Sequence, residues 1–318
     1  MTKFFLTGGS GFIGGEFIKL ALAQGHEVVN YDVAEPHFPD QTRFWTQGDV
    51  RDREALRRAV KAADPDILVH LASDTDVQIV RMEQFTTTIE GTRNMLQIAR
   101  EQPGLKKLVH VSTQFVVKPG VKPTSETCFK PYTVYGEAKA KTERMVRAAG
   151  LAMPWLIIRP TIIWGPHHPS FRQNIFRHIA KRTYLHPVGR AKTMRAFGYV
   201  ANTAQQILAL ALSSEGAGDP HVFYAGDDTI DYEIWADAFS RGLTGKRARR
   251  VPIGLLNFMG RIGDFAKRLH LPAPIDSGRA FRMSTSSAID LSPTLARTGP
   301  PPVSFEQGVR ETLAWLRE

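Results

Sequence analysis

The chain opens with Lys3-Phe4-Phe5-Leu6-Thr7-Gly8-Gly9-Ser10-Gly11-Phe12-Ile13-Gly14. A short apolar run, closely spaced glycines and the amphipathic stretch 12–22 predict a strand, a tight turn and a helix. The spacing satisfies G-x-G-x-x-G through Gly9, Gly11 and Gly14. Glycine lets the backbone approach a pyrophosphate closely, and the amides at a helix N-terminus favour an anion. A glycine turn without a ligand is the alternative that this stretch alone leaves open.

Length and composition are those of a globular protein. The chain has 318 residues, of which 42% are hydrophobic and 23% are charged, and this indicates one large or two modest domains. Its single cysteine, Cys128, excludes an intramolecular disulfide and favours a reducing compartment. No apolar run has the length of a membrane span, and glycines interrupt the apolar stretch after Lys3. We therefore expect a cytoplasmic protein without stable membrane insertion.

The net charge of the chain is +10, with basic clusters at 51–58, 246–250 and 261–267. Such a surface favours anionic partners, among them nucleotides, acidic sugars and membrane surfaces, and does not choose between them. No stretch interleaves basic and aromatic residues as nucleic-acid-binding modules do, so we expect no nucleic-acid partner. His167 and His168 are adjacent, but no third ligand follows at metal-binding spacing, and we predict no metal site.

The first half of the chain alternates strand and helix patterns. Continuous apolar runs separated by helices are typical of a doubly wound parallel sheet that is buried on both faces, a Rossmann-like α/β fold. Ligands of such sheets lie beyond the carboxyl ends of the strands. The predicted strands after the opening one are 27–31, 44–46, 67–72, 108–111 and 155–158, and the predicted helices between them are 52–63, 84–101 and 132–149.

The pattern changes after Gly165-Pro166. We expect a smaller C-terminal lobe that binds the substrate, formed by 166–198 and 227–318. The dinucleotide-binding domain is then 1–165, and 199–226 returns to it with one helix and one strand. The later predicted elements are helices over 171–181, 200–212, 255–269 and 306–316, a strand over 222–225, a helix that Asp231 caps, and irregular chain up to Met194 and from Pro272.

Asp32 follows the second predicted strand, about 20 residues beyond the glycines. A carboxylate at this place accepts hydrogen bonds from an adenosine ribose and repels a 2′-phosphate. Asp32 therefore favours NAD over NADP, with a plain turn residue as the alternative.

Tyr135 and Lys139 stand four residues apart on a predicted helix and therefore share a face. A nearby lysine cation favours the phenolate and lowers the pKa of a tyrosine. Thr113, just beyond a predicted strand, can supply a hydroxyl that orients a substrate oxygen. Together these side chains can move a proton on or off an alcohol while a hydride moves to or from a nicotinamide. Tyr132 does not fit this pattern, because Gly136 stands four residues further on.

Together these motifs resemble the extended short-chain dehydrogenases/reductases, and among them the NAD-dependent epimerase/dehydratase group. The resemblance covers nearly all of the chain. It rests on Thr7–Gly14, Gly48–Asp52, His70–Ala72, Gly91–Asn94, Val111–Thr113, Pro131-Tyr132, Tyr135–Lys139 with Glu143, Arg159–Thr161 and Gly165-Pro166.

The resemblance implies a role for each matching position. It makes Thr113, Tyr135 and Lys139 the catalytic hydroxyl, the acid/base and the activating cation, and it also places Lys139 on the nicotinamide ribose. It further implies a homodimer through the helices that contain Gln84 and Tyr132. The implied NAD contacts are Gly8, Gly11, Phe12 and Ile13 at the pyrophosphate, Asp32 at the adenosine ribose, Asp49 and Val50 at the adenine, Leu71, Ala72 and Ser73 along the dinucleotide, and Pro160 and Ile162 at the nicotinamide.

Three features depart from the family pattern. Thr88 stands where the family usually has asparagine, which puts a contact there in doubt. Val116-Val117-Lys118 replaces the usual Val-Tyr-Gly, so we expect a different loop after the catalytic hydroxyl. Gln114 and Phe115 replace the Asp-Glu pair with which sugar 4,6-dehydratases eliminate water, and this argues against a dehydratase.

Two residues resemble the diphosphate contacts of the nucleotide-sugar members, namely Asn174 and Arg195. A guanidinium suits phosphate because its fork is bidentate and always charged. A helix-capping asparagine and a solvated arginine are the alternatives. We therefore predict an NAD-dependent oxidoreductase or epimerase that acts on a carbinol of a nucleotide-activated sugar.

Two other function classes stay open. A 3β-hydroxysteroid or sterol dehydrogenase shares the fold, and the amphipathic stretch 255–269 could line an apolar pocket or rest on a membrane surface. We prefer to interpret 255–269 as a core helix with one basic face. A non-catalytic NAD-binding or nucleic-acid-binding scaffold would have lost Tyr135 or Lys139, and both are present.

Overall fold

The computed structural model of the chain describes residues 1–77, 79–218, 221–269, 271, 273 and 275–318. Its first half alternates strands and helices, in agreement with the apolar runs of the sequence. These elements are β1 (Lys3–Thr7), α1 (Phe12–Ala23), β2 (Glu27–Asp32), β3 (Trp45–Gln47), α2 (Arg53–Ala63), β4 (Ile67–His70), α3 (Thr86–Glu101), β5 (Lys107–Val111), α4 (Val134–Ala148) and β6 (Trp155–Pro160).

The second half consists of shorter and less regular elements. It includes a π-helical turn at Arg172–Phe176. The other elements are β7 (Ile162–Trp164), α5 (Arg177–Ala180), β8 (Leu185–Val188), β9 (Met194–Tyr199), α6 (Val200–Leu212), β10 (Val222–Ala225), β11 (Thr229–Asp231), α7 (Tyr232–Thr244), β12 (Arg249–Pro252), α8 (Ile253–Arg268), α9 (Ser277–Ser284), α10 (Ser292–Thr298) and α11 (Phe305–Arg317).

A seven-stranded sheet in the order β10-β6-β5-β4-β1-β2-β3 forms the centre of the molecule. All of its neighbouring strands run parallel. The strand order reverses at β1 and β4, which is where doubly wound sheets bind their ligands. The predicted Rossmann-like α/β fold is therefore confirmed. Two smaller sheets, β11-β9-β7 and β12-β8, are built from the second half of the chain.

Helices cover both faces of the large sheet. On one face, α1 and α6 bury Ile18 and Ile207 against the strands. On the other face, α2, α3 and α4 bury Leu56, Met95 and Val146. The continuous apolar runs of β4, β5 and β6 follow directly from this arrangement, because their side chains are buried on both sides.

An aromatic core joins the elements of the second half. Trp235 of α7 stacks on Phe197 of β9 and on Phe176, with ring centroids 5.3 Å and 5.9 Å apart. The ring of Trp164 on β7 meets Trp235 edge-on at 6.4 Å. This packing fixes β9, and with it Arg195, relative to the large sheet.

The helix predicted over 171–181 is present, as a π-helical turn that continues directly into α5. Two other predictions for the second half are wrong. The stretch predicted to be irregular up to Met194 contains β8, which pairs with the distant β12 and so leaves no local signal. The segment predicted to be irregular from Pro272 contains α9 and α10, while Pro272 itself lies outside the described residues.

Helix α8 also differs from its prediction as a core helix. Its buried residues are Leu256, Gly260 and Gly263. Phe258 and Phe265, by contrast, are 60% and 62% exposed. The helix therefore turns its small residues towards the protein and its large apolar residues outwards. Over the described part of the chain, no helix combines the length and the apolar composition that crossing a bilayer requires.

Candidate active site

The turn between β1 and α1 leaves no room for side chains. Gly8 has a φ of +76°, and a Cβ there would lie 2.5 Å from the amide nitrogen of Ala72. That amide donates to the carbonyl of Thr7 at 2.9 Å, so the chain that leaves β4 passes directly beside the turn. Gly11 caps α1 without a side-chain hydrogen bond. The first amides of α1 are therefore available to an anion such as a pyrophosphate.

Asp32 lies against this turn at the end of β2. Its Oδ2 accepts a hydrogen bond from the amide of Ser10 at 3.0 Å, and its Oδ1 accepts one from the amide of Ala34 at 3.0 Å. Burial raises the pKa of Asp32, and the backbone hydrogen bonds oppose this rise. A carboxylate held beside a glycine turn fits the ribose and pyrophosphate of NAD.

The residues predicted beside the adenine follow β3 at the same edge of the sheet. The carboxylate of Asp49 pairs with the guanidinium of Arg51 at 2.6 Å, and this contact lowers the pKa of Asp49. Val50 is buried, and a Cβ on Gly91 of α3 would lie 2.5 Å from its Cγ2. Val50 therefore packs tightly between the sheet and α3.

Thr88 replaces the expected asparagine with a hydrogen-bonding role of its own. Its buried Oγ1 receives the amide of Asp74 at 2.9 Å and contacts the Ser73 hydroxyl at 3.0 Å. Leu71 is tied to the glycine turn, because its amide donates to the Thr7 carbonyl at 2.9 Å. The loop after β4 is thus held from both ends, and Ser73 faces α3.

Thr113, Tyr135 and Lys139 come together where the end of β5 meets α4. All three side chains are buried, and a side-chain hydrogen bond joins Thr113 to Tyr135. Burial raises the pKa of Tyr135 to about 12, and the hydrogen bond with Thr113 opposes this rise. Tyr135 therefore carries its proton at neutral pH.

Lys139 does not lower the pKa of Tyr135, although the spacing of the two residues predicts that it does. Its Nζ donates to the carbonyl of Val111 at 2.7 Å. Burial lowers the pKa of Lys139 to about 8, against the attraction of Glu143 and Asp74. The causes of the Tyr135 shift are burial and Thr113, not Lys139. Burial thus outweighs the lowering that the sequence pattern led us to expect, and the lysine is anchored on the strand.

A buried ion pair positions the helix that carries these groups. Arg159 of β6 holds both carboxylate oxygens of Glu143 on α4, at 2.9 Å from Nε and 2.7 Å from Nη2. The hydroxyl of Ser112 donates to the same carboxylate at 2.5 Å. Because Ser112 precedes Thr113 in the chain, this network fixes Thr113 relative to α4.

Two buried histidines lie next to Lys139, and sequence reasoning assigned them no role. The rings of His70 on β4 and His110 on β5 stack with centroids 5.5 Å apart. His70 contacts the hydroxyls of Thr7 at 2.6 Å and Thr92 at 3.2 Å. Burial, reinforced by the charge of Lys139, lowers the pKa of His70 to about 3 and that of His110 well below its ordinary value. Both imidazoles are therefore neutral at physiological pH.

Arg195 of β9 is a buried cation with unused hydrogen-bonding capacity. It is 7% exposed, and its Nε and Nη2 have no hydrogen-bond partner among the described residues. Its Cζ lies 4.8 Å from the centroid of the Tyr232 ring. Burial raises the pKa of Tyr132 to about 12, against the charges of Arg282 and Arg195. An unpaired buried guanidinium is energetically unfavourable, so this cluster fits an anionic ligand.

Phe115 connects this cluster to Tyr135. Its ring centroid lies 5.7 Å from that of Tyr132 and 6.1 Å from that of Tyr135. In the described structure, the Tyr132 hydroxyl and the Oε1 of Gln114 are buried without hydrogen-bond partners. Tyr132 and Gln114 are therefore candidate substrate contacts. The signal that could have found them is their place beside Thr113 and Tyr135 in the chain.

The remaining predicted contacts differ in their exposure and in the elements that carry them. Asn174 lies inside the π-helical turn, not at its beginning, and its side chain is exposed. Pro160 ends β6 as a buried residue, and the half-buried Ile162 begins β7. At the start of α1, the ring of Phe12 lies 4.7 Å from that of His168, and Ile13 packs against the aromatic core. Within the described ranges, no group of three or more His, Cys, Asp or Glu side chains could hold a metal ion.

Comparison with known proteins places this chain in a family. Residues 4–226 match the family model described as "NAD dependent epimerase/dehydratase family". The fold is similar to that of a UDP-glucose 4-epimerase from Thermotoga maritima, whose crystal structure contains UDP-glucose. That similarity has a TM-score of 0.77 at 20% sequence identity and covers 99% of this chain and 98% of the other.

Two curated relatives differ in their substrates. An N-acetyl-α-D-glucosaminyl-diphospho-ditrans,octacis-undecaprenol 4-epimerase from Escherichia coli is 30% identical over 210 residues, which is 64% of this chain. A 3β-hydroxysteroid dehydrogenase/Δ5→4-isomerase from Mycobacterium tuberculosis is 29% identical over 242 residues, or 71% of this chain. The chain spans 61% of the length of the first relative and 65% of the second, less than two thirds of either.

The glycine turn provides a stability test. Gly8 combines a positive φ with a Cβ position 2.5 Å from backbone, so we expect Gly8→Ala to lower the free energy of unfolding by more than about 2 kcal/mol. Gly25 is the matched control, because its φ is +77° and nothing lies within 4 Å of its Cβ position. Gly25→Ala should cost about 1 kcal/mol from backbone strain alone. Urea unfolding measures both, and equal losses would contradict a steric requirement at Gly8.

The histidine pair predicts a loss of stability in acid. The pKa of His70 is lowered from 6.5 to about 3, so between these values the unfolded chain binds a proton that the folded chain excludes. The stabilisation is complete above pH 6.5 and is lost as the pH falls towards 3, by up to about 1.4 kcal/mol per pH unit for this histidine. Urea unfolding at about pH 7, 6 and 5 should give a smaller slope for His70→Gln than for the wild type. Parallel slopes would show that His70 does not titrate in this range.

Proposed function

The chain belongs to the NAD dependent epimerase/dehydratase family, and we propose that it oxidises or epimerises a carbinol carbon of a diphosphate-linked sugar. It is an NAD-dependent enzyme of the extended short-chain dehydrogenase/reductase type. A nucleotide-activated sugar is the first candidate substrate. Oxidation would release the ketone, whereas epimerisation would return the hydride to the opposite face of the same carbon.

The unpaired guanidinium of Arg195 is the observation that carries this proposal. A buried cation without a partner favours a ligand that brings a compensating negative charge into the cleft. A diphosphate does so with oxygens that suit the planar fork of arginine. Phe115 and Tyr132 connect Arg195 to Tyr135, so a sugar attached to that diphosphate would extend towards the acid/base.

The proposed proton transfer follows from the protonation states of the site. NAD supplies a hydride acceptor when it is bound. Tyr135, protonated at neutral pH, can donate its proton when a ketone is reduced, whereas oxidation of an alcohol requires that Tyr135 first lose its proton and then accept the alcohol proton as a phenolate. Thr113 shares a hydrogen bond with Tyr135, so both hydroxyls can contact the same substrate oxygen. Lys139, fixed on the Val111 carbonyl, contributes positive charge beside the reacting oxygen and a donor for the nicotinamide ribose.

The cofactor contacts predicted from the family pattern are part of the same proposal. We assign Gly8, Gly11, Phe12 and Ile13 to the pyrophosphate and Asp32 to the adenosine ribose. The remaining assignments are Asp49 and Val50 at the adenine, Leu71, Ala72 and Ser73 along the dinucleotide, and Pro160 and Ile162 at the nicotinamide.

The domain division and the quaternary state are also proposals. We assign 1–165 and 199–226 to cofactor binding and 166–198 and 227–318 to substrate binding. We further propose a cytoplasmic homodimer through α3 and α4. Among the described residues, the exposed large hydrophobic side chains lie outside these two helices, so such an interface would be mainly polar.

A 3β-hydroxysteroid or sterol is the second candidate substrate. The aromatic surroundings of Arg195, formed by Tyr132, Tyr184 and Tyr232, favour it because they could enclose an apolar ring system. The relative from Mycobacterium tuberculosis bears such a name. The substrate named for the relative from Escherichia coli contains a sugar, a diphosphate and an apolar lipid chain. A neutral steroid, however, would leave Arg195 without a partner.

Removing the catalytic hydroxyl tests the mechanism. Tyr135→Phe should lower kcat by about 10²–10⁴-fold, because general acid–base catalysis contributes that much. Binding of NAD, followed by fluorescence titration, should be unchanged. Tyr224→Phe is the matched control, since Tyr224 is a partly buried tyrosine whose hydroxyl contacts Arg159 at 3.1 Å and belongs to the structural network. Full activity of Tyr135→Phe would refute the assignment.

Replacing Arg195 tests the substrate class. Arg195→Met should lower kcat/KM for UDP-glucose or UDP-N-acetylglucosamine by about 100-fold, because a charge-assisted contact is lost. The thermal midpoint should stay the same or rise, because an unpaired buried charge is removed. Arg241→Met is the control, since that side chain is 55% exposed on α7. NADH absorbance measures turnover, and product stereochemistry separates epimerisation from oxidation. Turnover of a 3β-hydroxysteroid without binding of any diphosphate-linked sugar would contradict the proposal.

A further inference from the structure

Helix α8 carries a row of large apolar side chains that point away from the protein. Leu255, Phe258, Ile262, Phe265 and Leu269 are each between 50% and 62% exposed. We call these five residues the α8 stripe. They recur at intervals of three and four residues, so at 3.6 residues per turn they fall within a sector of about 80° and extend along about 21 Å of helix.

The opposite face of the helix is bound closely to the rest of the chain. A Cβ on Gly260 would lie 3.1 Å from the backbone of Ser277, and one on Gly263 would collide with the carbonyl oxygen of Ile275. Leu256 packs on this side with Ala280 of α9. The orientation of α8 is therefore fixed by close backbone packing, and rotation of the helix cannot bury the stripe.

The charges around the stripe are predominantly positive. Residues 246–268 contain seven lysines and arginines and one acidic residue, Asp264. Three of these cations pair with carboxylates of other segments, namely Arg247 with Asp237, Arg250 with Glu233 and Lys267 with Asp276. Asp264 accepts a hydrogen bond from the amide of Ser277 at 3.1 Å, on the side of the helix that faces the protein. Arg261 and Arg268 are exposed, and at 100° per residue both lie on one flank of the stripe. An apolar row bordered by cations is complementary to an anionic lipid surface.

A second copy of the chain is a less suitable occupant of this face. If two stripes packed together, Arg261 and Arg268 of both copies would lie at the edges of one contact, and this accumulation of like charge opposes it. A bilayer that contains anionic lipids accepts the apolar side chains below its headgroups and the arginines among them. Phenylalanine and leucine are also typical of the apolar face of helices that lie in this interfacial zone.

We propose that α8 docks the protein reversibly on the surface of an anionic lipid membrane, with the α8 stripe inserted below the headgroups. The opposite side of α8 packs on α9, which carries Arg282, and the charge of Arg282 acts on Arg195 and Tyr132 of the candidate substrate cleft. The membrane interaction does not depend on the identity of the substrate, since it requires neither turnover nor NAD.

Co-sedimentation of the full chain with vesicles tests this inference. The protein should bind vesicles of phosphatidylcholine with roughly a quarter phosphatidylglycerol, and at least about tenfold more weakly vesicles of phosphatidylcholine alone. About 0.5 M NaCl should weaken the binding to anionic vesicles by a similar factor. If the wild-type protein stays in the supernatant with anionic vesicles, the proposal is wrong.

Two substitutions assign the binding to the stripe. Phe258→Ser together with Phe265→Ser leaves the net charge unchanged and should weaken vesicle binding by at least about tenfold. Leu212→Ser is the control, since Leu212 is a 39% exposed apolar residue at the end of α6. The double variant should retain the wild-type thermal midpoint and turnover of a water-soluble substrate, which keeps this test separate from that of the proposed function. Unchanged vesicle binding by the double variant would overturn the assignment to α8.

Sedimentation velocity without lipid completes the test. The stripe is assigned to the membrane if the wild-type protein and the double serine variant show the same oligomeric state. If the wild-type protein is a dimer that the double variant dissociates, the stripe is a contact between two copies and the proposal fails.

Discussion

The buried pair of Arg159 and Glu143 is the interaction on which the active site depends. Both side chains are excluded from water, so removing either partner would leave a buried charge uncompensated. Their contact therefore fixes α4 against β6. Tyr135, Lys139 and Glu143 follow one another at four-residue intervals and share one face of α4. The same helix face thus anchors the helix at one end and presents Tyr135, the proposed acid/base, at the other.

Local sequence signals predicted the parts of the fold that local physics determines. The glycine turn needs small residues at fixed spacing, and the continuous apolar runs follow from burial on both faces of a parallel sheet. The short strands β8 and β12 could not be predicted in the same way, because each is stabilised by pairing with a segment far away in the chain. Helix α9 depends on the cap that Asp276 provides, within a stretch whose prolines suggested irregular chain.

In the candidate site, the sequence predicted which residues lie close together better than it predicted their pKa values and their partners. The four-residue spacing of Tyr135 and Lys139 correctly predicts a shared helix face, but a pKa depends on burial and on partners from other elements. The carbonyl of Val111 anchors Lys139, and burial keeps Tyr135 protonated. For the same reason the unpaired state of Arg195 cannot be read from the sequence, since it depends on which side chains the fold places beside β9.

Helix α8 shows that the periodicity of a sequence does not determine which face of a helix is buried. A repeat of three and four residues predicts an amphipathic helix equally well whether its apolar side faces the core or the solvent. The placement of Gly260 and Gly263 distinguishes these cases, because only the glycine side allows the backbone contact with Ile275 and Ser277. The large residues must then face outwards, although they gain no burial from folding. Such a surface is not required for the stability of the chain itself, and its apolar character is therefore better explained by something that the helix meets outside the protein.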